Sequence, residues 1–146
     1  ADQMGSMRTA KALDGTVSNE QREWRYTAVS TYDFNEGALK GAAIGGALRW
    51  ESKAATGYLL TLEPESGAPI PDVTNPFFDD GLFSGDLWVS YKRRLFDKID
   101  WKIQLNVRNA IGDDDDIPVK TNPDGQVAVI RMPNPRTIYL SNSFRF

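Results

Sequence analysis

The sequence predicts an all-β fold, an antiparallel meander of about five long strands. Three observations predict it. Five segments alternate apolar and polar residues with period two. Each segment runs to about 10 residues or slightly more, the length of a long strand. The connections between them alternate short, long, short, long. One alternating stretch decides nothing: at 40% hydrophobic residues, a perfect eight-residue alternation arises by chance roughly once in a chain this long. The weight rests on the number of segments, their lengths and their order.

Residues 1–21 are polar and without a sustained period, so they read as a loop, although Met7 to Leu13 is able to form one helical turn. From Trp24 the even positions are Trp24, Tyr26, Ala28, Ser30, Tyr32 and Phe34, and the odd ones are Arg25, Thr27, Val29, Thr31 and Asp33. That is a strand, and Asn35-Glu36-Gly37 closes it with a turn. Leu39 to Ala55 is rich in glycine and alanine. It reads as a weakly specified strand, since Gly41, Gly45 and Gly46 count against a helix.

Residues 56–81, with their prolines, glycines and acids, read as a long loop. From Phe83, Leu87, Val89, Tyr91 and Leu95 take one face, and Asp86, Ser90, Lys92 and Arg94 the other; Trp88, Arg93 and Phe96 break the pattern. Asp97 to Asp100 is a short turn. Trp101 to Arg108 alternates without exception: Trp101, Ile103, Leu105 and Val107 against Lys102, Gln104, Asn106 and Arg108. Residues 112–126 read as a second long loop. In the last segment, Arg136 to Phe146, Ile138, Leu140, Phe144 and Phe146 share a face that Asn142 interrupts.

Composition narrows the function classes. The chain has 146 residues and a net charge of -3 with no basic stripe, so no nucleic-acid partner is expected. It contains no cysteine, which excludes disulfides and thiolate metal sites, and no histidine, which removes the usual neutral-pH general base. No enzyme activity, cofactor or metal is therefore expected. Asp113 to Asp116 bring carboxylates together, but the glycine and closing glutamate of an EF-hand loop are absent, and a solvated acidic run is preferred. Asp79-Asp80 is a weaker version of the same. Glu63 and Glu65 lie in a proline-rich loop with nothing to fix their separation, and Gly41 to Gly46 lacks the Lys-Ser/Thr of a phosphate loop. The start, Ala-Asp-Gln-Met-Gly-Ser, lacks the pattern of a signal peptide, so the expectation is a mature chain or a fragment.

Strands of about 10 residues with alternating faces, short turns on one side and long loops on the other, are what a membrane-spanning β-barrel needs. On that reading, 35–38 and 97–100 are periplasmic turns. Trp24, Trp50 and Trp101 sit near strand ends, as in the aromatic girdles of such barrels; core anchors of a sandwich are the rival. The charged positions Arg49, Glu51, Lys53, Lys92, Arg94, Lys102 and Arg108 become lumen-facing, with Gln104 and Asn106 among them. Trp101, Ile103, Leu105 and Val107 become lipid-facing.

Particular motifs sharpen this. LKGAAIGGALRWESKAATGY from Leu39 to Tyr58 and DLWVSYKRRLFDKIDWKIQLNVRNAIGDDD from Asp86 to Asp115 resemble late strands of TonB-dependent receptors. Arg108-Asn109-Ala110-Ile111-Gly112 is similar to the family's close of the second-to-last strand, and PRTIYLSNSFRF from Pro135 to Phe146 to its final strand, which ends in Phe. The resemblance covers about residues 22–146, with 1–21 as an external loop or flexible segment. It implies the C-terminal part of a 22-stranded outer-membrane barrel in a Gram-negative bacterium, filled by a plug domain that this sequence does not include. Such a receptor imports a scarce nutrient of the siderophore, cobalamin or carbohydrate class. The implied partners are outer-membrane lipid, the missing plug and barrel strands, the TonB system and the barrel-assembly machinery, which reads Ile138, Leu140, Phe144 and Phe146 as the assembly signal. These strands alone should not transport. A soluble β-sandwich binding carbohydrate or protein is the alternative, with its apolar faces packed together.

Overall fold

Successive side chains of a strand point to opposite faces, so five alternating segments with one apolar set each restrict the sheet to registers that bring those sets together. A computed structural model describes residues 3–16, 20–112 and 114–146. After one helix, α1 (Gln3–Ala12), come nine strands: β1 (Arg25–Asp33), β2 (Ala42–Glu51), β3 (Ala55–Leu62), β4 (Pro69–Phe78), β5 (Leu82–Leu95), β6 (Ile99–Gly112), β7 (Ile117–Thr121), β8 (Val127–Arg131) and β9 (Thr137–Arg145). The fold is all-β and antiparallel. The five expected segments are β1, β2, β5, β6 and β9, and they pair in that order as one open sheet. Apart from Leu39, the last residue of a single 3-10 turn (Gly37–Leu39), neither 39–55 nor 101–111 is helical.

Contacts divide the chain into two units. One is the five-stranded sheet, Arg25–Glu51, Leu82–Asp114 and Asn134–Phe146. Its short connections are tight. Between β1 and β2, the Phe34 N–H donates to Ala42 O at 2.8 Å and the Gly41 N–H to Phe34 O at 2.9 Å. Gly41 has φ 91°, and a Cβ there would strike the Lys92 carbonyl, so only glycine fits. The β5–β6 turn falls on Phe96-Asp97, one residue earlier than expected, with φ 51° and 56° and a bond from the Lys98 N–H to Leu95 O. Two consecutive left-handed residues match the twist of a hairpin.

The other unit comprises Ala1–Trp24, Ser52–Gly81 and Asp115–Pro133. Three sequence expectations are corrected here. Residues 1–21 are not all loop: Gln3–Ala12 is helical, built from good helix formers such as Ala10, Ala12, Arg8 and Lys11, with Lys11 favourably placed in the last turn. The 56–81 segment is not a loop but the β3–β4 hairpin. Its prolines concealed it, yet β4 pairs with β3 alone, so a proline lacking its N–H can sit with that position turned away from the ladder. The 112–126 segment likewise holds β7, which leads to β8 through a turn in which the Gly125 N–H donates to Asn122 O at 2.9 Å. Alternation was not visible there because bulges shift the register at Pro118/Lys120 and Lys120/Thr121.

Candidate functional site

The most informative surface is the five-stranded sheet, whose two faces differ in chemistry. Directly opposed residues of an antiparallel pair share a face. Trp101 opposes Phe144, Leu105 opposes Leu140 and Val107 opposes Ile138. On the other side of β6, Leu105 opposes Val89 and Val107 opposes Leu87. Val89 opposes Ile44, and Ile44 opposes Tyr32. The apolar set is therefore continuous across all five strands.

Within that face the residue types are sorted by height. Tyr26, Trp50 and Phe83 form one row at the end where β1 begins. Towards the opposite end lie Tyr32, Tyr91, Trp101 and Phe144; Tyr91 and Trp101 meet edge to face, with ring centroids 6.3 Å apart. Ile44, Leu48, Leu87, Val89, Leu105 and Leu140 occupy the middle. Eight residues separate Phe83 from Tyr91, about 26 Å along a strand and about 20 Å along an axis tilted by ~40°.

The opposite face holds Arg49, Glu51, Lys102, Gln104, Asn106 and Arg108 together, as the alternation indicates, along with Lys92 and Arg94. Lys53 is not among them. It follows β2 and belongs, like Phe78, to the other unit, where its ammonium lies 4.3 Å from the centroid of the Phe78 ring. Trp88, the residue that broke the sequence pattern, belongs to this polar face, opposite Gly45 and Asn106. Its indole lies where a Cβ on Gly45 would be, which explains a glycine inside a strand.

Burial is inverted relative to a soluble sheet. The buried side chains of this sheet, Ala43 at 5%, Ala47 at 7% and Ser90 at 8% exposure, all lie on the polar face. On the apolar face Ile138 is 65% exposed, Leu140 64% and Phe144 56%. About a dozen large apolar side chains there are close to half exposed, on the order of 1,000 Å² in all, more than a soluble monomer normally shows in one patch.

One end of the polar face is tied together around Asn109. Between the pairs Leu87↔Val107 and Gly85↔Ile111, β6 carries extra residues, and Asn109 sits there with φ 50°. Its N–H donates to Asp86 Oδ1 at 2.9 Å, and its Nδ2 to Asn134 O at 2.6 Å. Its carbonyl accepts from Arg136 Nε at 3.3 Å. Asp86 also takes Arg49 Nη2 at 2.8 Å, and the Arg108 guanidinium lies 5.4 Å from the centroid of the Tyr139 ring. Arg49, Asp86, Arg108, Asn109, Asn134 and Tyr139 line a shallow hollow of about 460 Å³. Arg49 and Asp86 pair with each other there and Arg108 rests against Tyr139, so the hollow is a shaped polar surface.

In the other unit, the Arg22–Asp79 pair is the best-built polar feature. The side chains are 3% and 4% exposed. Arg22 donates through both terminal nitrogens to Asp79, at 3.1 and 2.5 Å, and to Ser52 O at 2.5 Å. Asp79 also accepts the N–H groups of Ala54 and Gly81. Burial by itself raises the Asp79 pKa, but the Arg22 bonds and the two N–H donors outweigh it and hold the carboxyl below its ordinary value. Asp79 is thus a structural clasp, and Asp80 takes no part in it.

The remaining sequence candidates do not converge. Asp113 lies outside the described residues, and Asp114 to Asp116 are exposed. Among the described residues, no group of three potential metal ligands comes together. Glu63 is engaged by Ser66 and pairs with Arg8 at 3.8 Å, and Glu65 is exposed. Phe146 lies one residue beyond β9 and is 94% exposed. The chain matches no family model, no curated protein and no solved structure.

Proposed function

We propose that this chain is the C-terminal barrel portion of a TonB-dependent receptor in a bacterial outer membrane, where it contributes strands to the wall of a nutrient importer. The observation that carries the reading is the apolar face, continuous over five strands, exposed, aliphatic in the middle and aromatic towards both ends. That distribution suits a slab of hydrocarbon with an interface on either side. A soluble sandwich buries such a face.

The open edges of β1 and β9 support the same reading. A long unpaired edge is a liability in a soluble monomer and a joint in a barrel. In this account Trp101, Ile103, Leu105 and Val107 meet lipid, while Arg49, Glu51, Lys102, Gln104, Asn106 and Arg108 line the lumen. Ile138, Leu140, Phe144 and Phe146 carry the assembly signal, and the two hairpins and α1 are external. The imported nutrient is a siderophore, a cobalamin or a carbohydrate, bound by the plug and the rest of the barrel.

The test is partition. The chain should require detergent to stay dispersed, and should enter lipid vesicles with its β content retained. A monodisperse monomer in plain buffer, with the same circular dichroism, would contradict the proposal and favour the soluble binding module.

A further inference from the structure

We propose that the short-turn end of the polar face is a binding surface for an acidic polypeptide segment, centred on Lys92 and Lys102. In the β5–β6 register Lys92 stands directly opposite Lys102. Like charges placed directly across a ladder destabilise it, and the neighbouring strands supply no relief. On one side the Lys92 backbone pairs with Gly41, which has no side chain. On the other, Lys102 opposes Ser143.

The next row holds Arg94, Asp100 and Arg145. Its one carboxylate, Asp100, already accepts from Arg94 Nε at 3.1 Å. Among the described residues Lys92, Lys102 and Arg145 form no ion pair. All of these side chains border one depression at the strand ends. A chain with net charge -3 thus gathers unmatched cations at one place on one face.

The geometry selects the anion. The cations spread over three strands, about 10 Å, and over two rows about 7 Å apart. One phosphate cannot span them. The Lys92 and Lys102 ammonium groups act as separate point charges, each suited to its own carboxylate, and Arg94 already gives its Nε–H to Asp100 at 3.1 Å. An extended segment presents alternate side chains about 7 Å apart on one side, so acids at alternate positions reach both rows. This inference stands on the charge pattern and does not require the opposite face to meet lipid.

The probe is a fluorescent eight-residue peptide of alternating Glu and Ser, titrated by anisotropy against the whole chain in neutral detergent micelles at low salt. Saturable binding is expected, weakening with salt. It should fall at least tenfold in Lys102→Glu and in the double variant Lys92→Gln/Lys102→Gln. Lys102→Glu should at the same time raise the denaturant midpoint, because it converts a like-charge pair into an opposite one. That readout also shows that the variant folds. Absence of binding, or binding that neither variant weakens, would overturn the proposal. Displacement of the peptide by an equal concentration of inorganic phosphate would overturn it too, by assigning the surface to phosphate groups.

Discussion

Asn109 and Asp86 are joined by a bond that the β-ladder does not provide: the Asn109 backbone N–H, turned away by its left-handed conformation, donates to Asp86 Oδ1 at 2.9 Å. The bulge would otherwise leave that N–H without a partner. Because the Asn109 side chain and carbonyl also hold Asn134 and Arg136, the same residue fixes where the chain enters β9. Asp86→Ala should cost about 1–3 kcal/mol, since it strands both the N–H and Arg49. Asp86→Asn keeps an acceptor and should cost less. Denaturant midpoints of the three proteins in one detergent check the order; equal midpoints would mean the bulge holds itself.

A second prediction concerns Gly45 and Trp88. Gly45→Ala places a methyl group into the indole and should destabilise by about 1–3 kcal/mol. In a Trp88→Ala background the same change should cost much less, because the obstruction is gone. The interaction energy of the double-mutant cycle is the measurement. Additive effects would mean that the glycine serves the strand for another reason.

How much of this was legible beforehand depends on whether period two survived. β1, β6 and β9 kept it, and their faces could be assigned from the residues alone. Trp88 concealed part of β5, because a large aromatic on the polar face reads as an error in the pattern; the glycine opposite it was the signal that could have explained it. In β3–β4, prolines at 69, 71 and 76 read as loop, and the bulge after Tyr58 destroyed the alternation. The Arg22–Asp79 clasp links residues 57 apart in sequence, and no local pattern announces such a pair. Asn109 was visible as part of a motif, but its task, bonding Asp86 and Asn134, was not.

The clasp makes a pH prediction. Asp79 has a folded-state pKa below its ordinary value. A depressed carboxyl contributes stability that is present above the unfolded pKa, near 4, and is lost as pH falls through the folded pKa. The unit containing it should therefore weaken below about pH 4. Asp79→Asn should flatten that acid limb. Asp79→Ala leaves the Arg22 guanidinium buried beside Ser52 and should cost about 3–5 kcal/mol at neutral pH. Unfolding followed from pH 2 to pH 7 separates these effects, and an acid limb unchanged in Asp79→Asn would rule out the clasp as its source.

Leu105 lies mid-strand on the apolar face, between Val89 and Leu140. Leu105→Arg should cost roughly 2–4 kcal/mol in a membrane folding assay if that position meets the bilayer midplane. Gln104→Arg, one residue away on the polar face, should cost far less. Equal costs would mean that the faces are not distinguished by lipid.

The central claim is that the apolar face meets lipid, and the sequence offers a clean way to read it. The chain contains no cysteine, so single cysteines introduced from position 102 to 107 each carry one fluorescent label. In vesicles containing brominated lipid, labels at 103, 105 and 107 should be quenched by the lipid. Labels at 102, 104 and 106 should respond instead to a water-soluble quencher. Quenching with period two in this phase is the predicted result. The opposite phase, or uniform access to the aqueous quencher at all six positions, would contradict the account.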